Sequence, residues 1–223
     1  MSAHLPVSIT ALRGLPMFEM LSNERLEKIA GVSSLRRAAR HATIVQAGDR
    51  TDNIYLILTG ELMVQISDQE GREVILAMLR PGEMFGEMGV IDDHPRSATV
   101  IATEPCDLVV IAKDDFKSCL AENFEVSLSI IHSLVRRLRD ADRKIESLAL
   151  VDVYGRVARL LLEMAEIKEG RKVVTRRITR QDIAKTIGAS REMVSRVMRD
   201  LQLRGLIEER DGCIWLHREI ENP

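Results

Sequence analysis

A glycine-rich turn followed by an arginine is the first group of residues that could bind a ligand. Residues 85–98 read Phe-Gly-Glu-Met-Gly-Val-Ile-Asp-Asp-His-Pro-Arg-Ser-Ala. Gly86 and Gly89 allow close approach of the backbone, and successive N–H groups in such a turn can cradle a phosphate. Arg96 offers a planar fork for phosphate oxygens, and Glu87 can accept hydrogen bonds from ribose hydroxyls. The segment predicts a site for a small anion, although a lone Gly-rich loop or Glu–Arg pair is more often structural.

A second segment, residues 179–199, has the pattern of two short helices joined by a glycine. Thr179 and Asp182 have the spacing of a capping box, which starts a helix. Gly188 stands where the chain must turn, and Ser190 can cap the second helix. The predicted inner faces are Ile183, Ala184 and Ile187 on the first helix, and Val194, Val197 and Met198 on the second. The pattern predicts a helix-turn-helix whose second helix enters the DNA major groove.

The outward face of this second helix carries side chains that could read base edges, namely Arg191, Glu192, Ser195, Arg196 and Arg199. Arginine can bond bidentately to guanine, and glutamate can accept from cytosine N4. Arg180, Gln181 and Arg199 are better placed for phosphates, which fix the register without reading sequence. Glu192 and Arg196 are four residues apart, so a surface salt bridge is the alternative for that pair.

The anion-binding turn needs a β-scaffold, and the glycine spacing predicts one. Residues 1 to about 40 have the pattern of mixed helix. Glycines then fall at 48, 60, 71 and 82, separated by 12, 11 and 11 residues with short apolar or alternating runs between them. Regular turns between short strands predict an antiparallel β-roll over about 40–112. The predicted strands are 54–58, 62–66, 74–79, 98–102 and 108–111.

A long helix is predicted between the two sites, from about 124 to 150. Its apolar residues alternate at intervals of three and four: Ile131, Leu134, Leu138, Ala141, Ile145 and Leu148. In heptad terms Ile, Leu and Ile occupy position a, and Leu, Ala and Leu occupy position d, which favours a parallel two-stranded coiled coil. The pattern predicts a dimerisation helix; packing against its own domain is the alternative.

The C-terminal part is predicted to be helical and to end in a hairpin. Leu160 to Ala165 has the character of a core helix. Asp211-Gly212 separates residues 206–209 from residues 213–216, which is a strong signal for a two-residue hairpin turn. That hairpin would be the wing of the helix-turn-helix, and Trp215, the only tryptophan, is expected in the core of this part.

Composition narrows the class of protein. The 223 residues carry a net charge of −2, but residues 153–223 hold 15 Lys and Arg against 11 Asp and Glu, which favours a polyanionic partner. No apolar run approaches the roughly 20 residues of a membrane-spanning helix, and the first ten residues lack the pattern of a secretory signal. Three scattered cysteines suit a reducing cytoplasm, and neither they nor the histidines have metal-ligand spacing. No catalytic constellation is apparent, so no enzyme is expected.

Over roughly residues 15–219 the chain resembles the CRP/FNR family of bacterial transcription regulators. The resemblance lies in Phe85-Gly-Glu, Pro95-Arg-Ser-Ala, Arg136-Arg137-Leu138, Asp152-Val-Tyr-Gly-Arg156, Ile178-Thr-Arg-Gln-Asp and Ser190-Arg-Glu. It implies an α+β chain with a jelly-roll-like, cyclic-nucleotide-binding β-roll at 1–122. A long dimerisation helix at 123–151 and a winged helix-turn-helix at 152–223 would follow. The partners it implies are a second copy, double-stranded DNA and RNA polymerase.

The resemblance also implies which residues bind the ligand. Glu87 would hold the ribose 2′-hydroxyl, and Arg96 with Ser97 would hold the cyclic phosphate. The whole implied set is Gly86, Glu87, Met88, Arg96, Ser97, Ala98, Arg137, Ala141 and Asp142. Relatives that respond to cAMP carry a Thr-Ser pair at the last two positions. Asp142 could accept from the adenine amino group, match the paired donors of guanine, or pair with Arg139 or Arg143. The allosteric ligand is therefore expected to be cAMP, with cGMP and cyclic di-GMP as alternatives.

On the DNA side the resemblance places Arg191, Glu192 and Arg196 at three base-reading positions and implies a palindrome with TGTGA-like half-sites. The implied DNA-binding set is Arg180, Gln181, Ser190, Arg191, Glu192, Arg196 and Arg199. The loop at 167–172 looks shorter than the corresponding polymerase-contacting loop of the enteric activator. No cysteine precedes Cys106, which argues against an oxygen-sensing iron–sulfur cluster, and no histidine stands out as a haem ligand. A regulator that binds DNA without ligand stays a further alternative.

Overall fold

The computed structural model describes residues 5–168, 170–217 and 220. The chain divides into two compact units, Met1–Arg137 and Leu138–Pro223, with the boundary inside one long helix. The α+β class predicted from the sequence is confirmed. The finer division at residues 122 and 151 stays a prediction.

The first unit is built around two antiparallel sheets. The first sheet has the spatial order β1 (Leu5–Pro6), β2 (Ser33–Ala38), β9 (Cys106–Ala112), β4 (Asn53–Thr59) and β7 (Met84–Phe85). The second has the order β3 (Thr43–Val45), β8 (Thr99–Ala102), β5 (Leu62–Ser67) and β6 (Glu73–Leu79). Each of the five strands predicted from the glycine spacing is present, which confirms the β-roll.

Strand β4 shows how one stretch of sequence supplies two apolar cores. Successive side chains of a strand point to opposite faces of the sheet. Ile54 and Leu56 therefore join a core with the N-terminal helices, whereas Tyr55 and Ile57 join the core shared with the second sheet. A run of apolar residues with no polar alternation is what a strand buried on both faces requires.

Five helical segments accompany the sheets of this unit. They are α1 (Ile9–Arg13), a 3-10 turn (Pro16–Phe18), α2 (Asn23–Gly31), α3 (Glu87–Ile91) and α4 (Lys113–Glu122). The predicted mixed helix is correct within Ile9–Gly31 but wrong over Leu5–Pro6, which forms β1, and over Ser33–Ala38, which forms β2. This arginine-rich stretch has good helix propensity, but its backbone pairs along its whole length with β9. Residues 1–4 lie outside the described residues.

The long helix α5 spans Phe124–Leu150, as the heptad spacing predicts. Its 27 residues make a rod of about 40 Å at the usual rise per residue. Most of the predicted seam is uncovered in the single chain, because Ile131, Leu138, Ile145 and Leu148 are each more than half exposed. Leu134 instead packs against the core of the first unit, as the alternative of packing on its own domain predicts. Within the described residues, no helix, α5 included, is both long enough and apolar enough to cross a lipid bilayer.

After the C-terminal part of α5, the second unit contains three further helices and a four-stranded antiparallel sheet ordered β10-β11-β13-β12. Its elements are α6 (Val153–Met164), β10 (Glu166–Lys168), β11 (Arg171–Val174), α7 (Arg180–Ile187), α8 (Arg191–Leu203), β12 (Ile207–Arg210) and β13 (Cys213–Leu216). The core helix expected near Leu160 is the end of α6. The β10–β11 hairpin, which contains the short loop noted in the sequence, was not predicted.

The β12–β13 hairpin turns as its sequence predicts. Asp211 and Gly212 have φ values of 53° and 76°, the positive values that a two-residue type I′ turn needs at both positions. The expectation for Trp215 is wrong. Ile214 and Leu216 face the core, so Trp215 between them lies on the other face of the strand and is only half-buried.

Gly60 and Gly71 provide a matched test of the β-roll turns. Both have positive φ, but a Cβ on Gly60 would lie 2.5 Å from the Pro105 carbonyl oxygen, whereas a Cβ on Gly71 meets nothing within 4 Å. Gly71→Ala should therefore cost about 1–2 kcal/mol of unfolding free energy from backbone strain alone. Gly60→Ala should cost about 1–3 kcal/mol more because backbone atoms must also move. Urea unfolding followed by circular dichroism measures both, and equal losses would contradict the predicted clash.

Candidate functional site

The turn predicted to bind an anion is built on Gly86, which joins strand β7 to helix α3. Gly86 has φ 85° and stands at the N-cap of α3. A Cβ at this position would lie 2.3 Å from Nη1 of Arg96. Only glycine therefore permits both the left-handed backbone and the close approach of the guanidinium. The turn and Arg96, separated by nine residues in sequence, form one site.

Arg96 is held in place by backbone oxygens. Its side chain is buried, and it donates to the carbonyl of Gly86 at 3.0 Å and to that of Asn53 at 2.6 Å. Its guanidinium carbon lies 5.7 Å from the ring centroid of Tyr55, which in turn stacks on Phe85. Burial lowers the pKa of Arg96 from its ordinary value, but an arginine side chain stays protonated in a protein. The site therefore contains a fixed cation that forms no hydrogen bond to a carboxylate of the residues the structure describes.

The residues flanking this cation differ in accessibility. Ser97 is exposed beside the buried Arg96, and Ala98, which immediately precedes β8, is buried. Met88 is exposed in the first turn of α3, where the leading N–H groups of any helix lack an intrahelical acceptor. An exposed hydroxyl, backbone N–H groups at the start of a helix and a fixed cation are suitable partners for a phosphate.

Glu87, on the first turn of α3, is a buried carboxylate with one partner. Its side chain is 2% exposed, and Oε1 accepts from Nη1 of Arg137 at 2.8 Å. Arg137 also donates to the carbonyl of Met84. The second oxygen, Oε2, is buried and has no hydrogen-bond partner among the described residues. A buried carboxylate oxygen without a donor is costly, so this atom is an acceptor available to a ligand hydroxyl.

The loop before Arg96 is fastened by residues that sequence reasoning missed. Asp93 has φ 59°, and its carboxylate lies 2.5 Å from Nζ of Lys113 and 3.1 Å from Nζ of Lys117. Hydrogen bonds from Lys113 and then Lys117 lower the pKa of Asp93. On the other side, the hydroxyl of Thr51 donates to the carbonyl of His94 at 2.9 Å. Both lysines lie in helix α4, and nothing in their local sequence indicates that they reach this loop.

The predicted base contacts lie on helix α5. Arg137 belongs to the first unit, whereas Ala141 and Asp142 belong to the second and are exposed. Neither alternative pairing of Asp142 is formed in the described part of the chain: Arg143 pairs with Asp140 instead. The roles of Ala141 and Asp142 toward a ligand stay predictions.

The helix-turn-helix has the local geometry that its sequence predicts. Thr179 and Asp182 form a reciprocal capping box at the start of α7, with bonds of 3.1 and 3.0 Å. Gly188 takes φ 64° at the end of α7. The hydroxyl of Ser190 accepts from the backbone N–H of Met193 at 3.2 Å and so caps α8. Three local signals therefore fix the lengths of both helices and the turn between them.

Helix α8 buries one face and exposes the other, as predicted. Val194 and Met198 are buried in the core of the second unit, and Val197 packs against it. The outward residues Arg191, Glu192, Ser195, Arg196 and Arg199 are all exposed. Within the described residues no ion pair joins Glu192 to Arg196, so the alternative of a surface salt bridge is not formed. Both side chains are free to meet base edges.

The two residues of α7 that are predicted to contact phosphate differ in exposure and in partners. Gln181 is exposed. Arg180 is half-buried and forms an ion pair with Glu209 on strand β12. The sequence predicts the cation but not its partner, because 29 residues separate them.

Comparison with known proteins identifies both parts of the chain. The family model for the cyclic nucleotide-binding domain matches residues 35–123, and that for the Crp-like helix-turn-helix domain matches residues 155–219. The cAMP-activated global transcriptional regulator Vfr of Pseudomonas aeruginosa is 34% identical over 194 residues, which cover 82% of this chain and 89% of Vfr. The chain belongs to the CRP/FNR family of transcription regulators.

Other members of the CRP/FNR family support the same assignment. The cAMP-activated global transcriptional regulator CRP of Pasteurella multocida is 33% identical over 183 residues, covering 79% of this chain and 86% of that protein. Among solved structures, the c-di-GMP responsive global regulator CLP of Xanthomonas campestris superposes with a TM-score of 0.77 at 26% identity. That superposition covers 88% of this chain and 99% of CLP.

The Glu87–Arg137 pair can be tested by stability alone. Arg137→Met keeps the apolar stem but leaves the buried Glu87 carboxylate without its cation. We expect it to lower the free energy of unfolding by about 1–3 kcal/mol. Arg136→Met, at the exposed neighbouring position, should change it by less than about 0.5 kcal/mol. Urea unfolding measures both variants. Indistinguishable unfolding midpoints would mean that the ion pair of Glu87 with Arg137 contributes nothing to stability.

Proposed function

We propose that this CRP/FNR-family chain is a homodimeric, cyclic-nucleotide-responsive regulator of transcription that binds double-stranded DNA. The observation that carries the proposal is the anion site, where a buried arginine and a buried glutamate converge on one glycine turn. An exposed major-groove helix in the same chain supplies the output. Nothing in this arrangement calls for a catalytic step.

The ligand chemistry follows from the site. The cyclic phosphate would bind the remaining N–H groups of Arg96, the hydroxyl of Ser97 and the backbone near Gly86 and Met88. Oε2 of Glu87 would accept from the ribose 2′-hydroxyl and so gain the donor that it lacks. We take cAMP as the first candidate because Vfr and CRP, which are about a third identical to this chain, are described as cAMP-activated.

A guanine nucleotide is the second candidate, and Asp142 favours it. The carboxylate matches the two adjacent donors of guanine, and CLP is described as responsive to c-di-GMP. Cyclic GMP and cyclic di-GMP therefore belong in any ligand test. A regulator that binds DNA without ligand is the remaining alternative.

The proposed output is a palindrome with TGTGA-like half-sites. The exposed seam of α5 would pair with that of a second copy, because Ile at a and Leu at d favour a parallel dimer. Two α8 helices would then enter successive major grooves about 34 Å apart. Arg191, Glu192 and Arg196 would read bases. A contact with RNA polymerase is proposed from the family alone.

The ligand proposal predicts the effect of Arg96→Ala. Removing the only buried cation of the turn should abolish cyclic-nucleotide binding, whereas Arg40→Ala, at an exposed position of the same unit, should leave it intact. Calorimetric titration with cAMP, cGMP and cyclic di-GMP gives the measurement. Ser97→Ala should weaken binding by about twofold to tenfold, the loss of one hydrogen bond.

The titrations distinguish the candidate ligands and test the role of Arg96. Binding of cAMP that tightens DNA binding supports an activator that responds to cAMP. Binding of a guanine nucleotide alone supports the role of Asp142 in base choice. Unchanged affinity in a folded Arg96→Ala protein would overturn the anion-site assignment.

The DNA proposal predicts different effects for two arginines of α8. Arg191→Ala should cost about 1–3 kcal/mol and relax specificity at one guanine of the half-site. Arg199→Ala should weaken binding equally for all sequences and reduce the salt slope by about 1. Anisotropy titrations of the palindrome and of its single-base variants distinguish the two, and a uniform loss for Arg191→Ala would make it a phosphate contact.

A further inference from the structure

The wing hairpin of this chain carries more acidic than basic residues, although the proposed function places it next to DNA. Strand β12 and its turn carry Glu208, Glu209 and Asp211, against a single cation, Arg210. Arg210 is itself paired with Asp211 at 3.4 Å. Carboxylates repel the phosphate backbone, so each of them opposes binding unless it has another role.

Glu209 lies on the face of β12 that meets the helices, although its side chain is partly exposed. Ile207, two residues earlier on the same strand, is buried in the core of the second unit. Residues two apart share a face of a strand, so Glu209 points toward the helices and Glu208 away from them. The partner of Glu209 is Arg180, the first residue of α7, and their side chains are 38% and 28% exposed.

We propose that Glu209 competes with DNA phosphate for Arg180 and so weakens binding to every DNA sequence. The inference rests on the proposed function, in which Arg180 contacts the backbone. Arg180 carries one positive charge, which Glu209 already neutralises. A phosphate can take that cation only by displacing Glu209 or by bringing a second anion beside it.

The salt dependence follows from the same exchange. When a free arginine neutralises a phosphate, the DNA releases condensed counterions and the affinity falls with salt. While Arg180 stays paired with Glu209, it neutralises no phosphate and releases no counterion. The Arg180 contact should therefore add little to the salt slope of the parent protein. Because a backbone contact carries no sequence information, the competition lowers affinity for all sites by one factor and leaves the ratio between them unchanged.

Glu209→Gln tests the proposal, with Glu208→Gln as the matched control for the general loss of one negative charge. The full chain is titrated, with and without cAMP, against a TGTGA palindrome and a duplex with shuffled half-sites at several KCl concentrations. Relative to the control, Glu209→Gln should bind both duplexes about twofold to fivefold tighter per half-site, the strength of an exposed ion pair. The slope of log affinity against log salt should steepen by about 0.9 per half-site.

An Arg180→Met background isolates the pair. In that background Glu209→Gln should gain no more than Glu208→Gln, because the contested cation is gone. Equal gains in the parent background would overturn the competition. Weaker binding by Glu209→Gln would overturn it too, since Glu209 would then position Arg180 for the phosphate. A parent chain that binds neither duplex would overturn the proposed function, and this proposal with it.

Discussion

The buried carboxylate of Glu87 is the constraint on which the rest of the ligand site depends. An ionised carboxyl group removed from water needs a cation or several donors. The chain supplies one cation, Arg137, from helix α5, and this fastens the glycine turn to the helix that carries the exposed seam. A ligand hydroxyl on Oε2 would share the carboxylate with Arg137. Under the proposed function, one side chain would then link ligand occupancy to the position of α5, which is the kind of differential contact that a population shift requires.

Three arginines in this chain show how the partner decides what a guanidinium can do. Arg96 is buried against two carbonyl oxygens, so its charge is oriented but not cancelled. The charge of Arg137 is neutralised by Glu87, and the pair connects α5 to the glycine turn. The charge of Arg180 is neutralised by Glu209 of the wing, in a region whose other arginines are exposed. The net charge of a segment does not distinguish these cases; only the contacts do.

Local signals explain which features could be predicted from the sequence. The bounds of α5, the capping box at Thr179, the turn at Gly188 and the Asp211-Gly212 hairpin each depend on a few neighbouring residues. Strand β2 was missed because its pairing with β9, not its own composition, makes it a strand. The fastening of Asp93 and the Arg180–Glu209 pair were missed for the same reason. They join residues that are distant in sequence and carry no periodic pattern.

The pairing of β2 with β9 also bears on how the chain folds as it is made. Ser33 lies opposite Ile111, nearly 80 residues away, so the central sheet of the β-roll cannot close until most of the first unit has been synthesised. The helix-turn-helix instead joins elements that follow one another closely, and contacts of low sequence separation form quickly. The slower unit is the one that leaves the ribosome first. Translation therefore gives the first unit, which needs long-range strand pairing, more time to fold than the second unit, whose contacts are local.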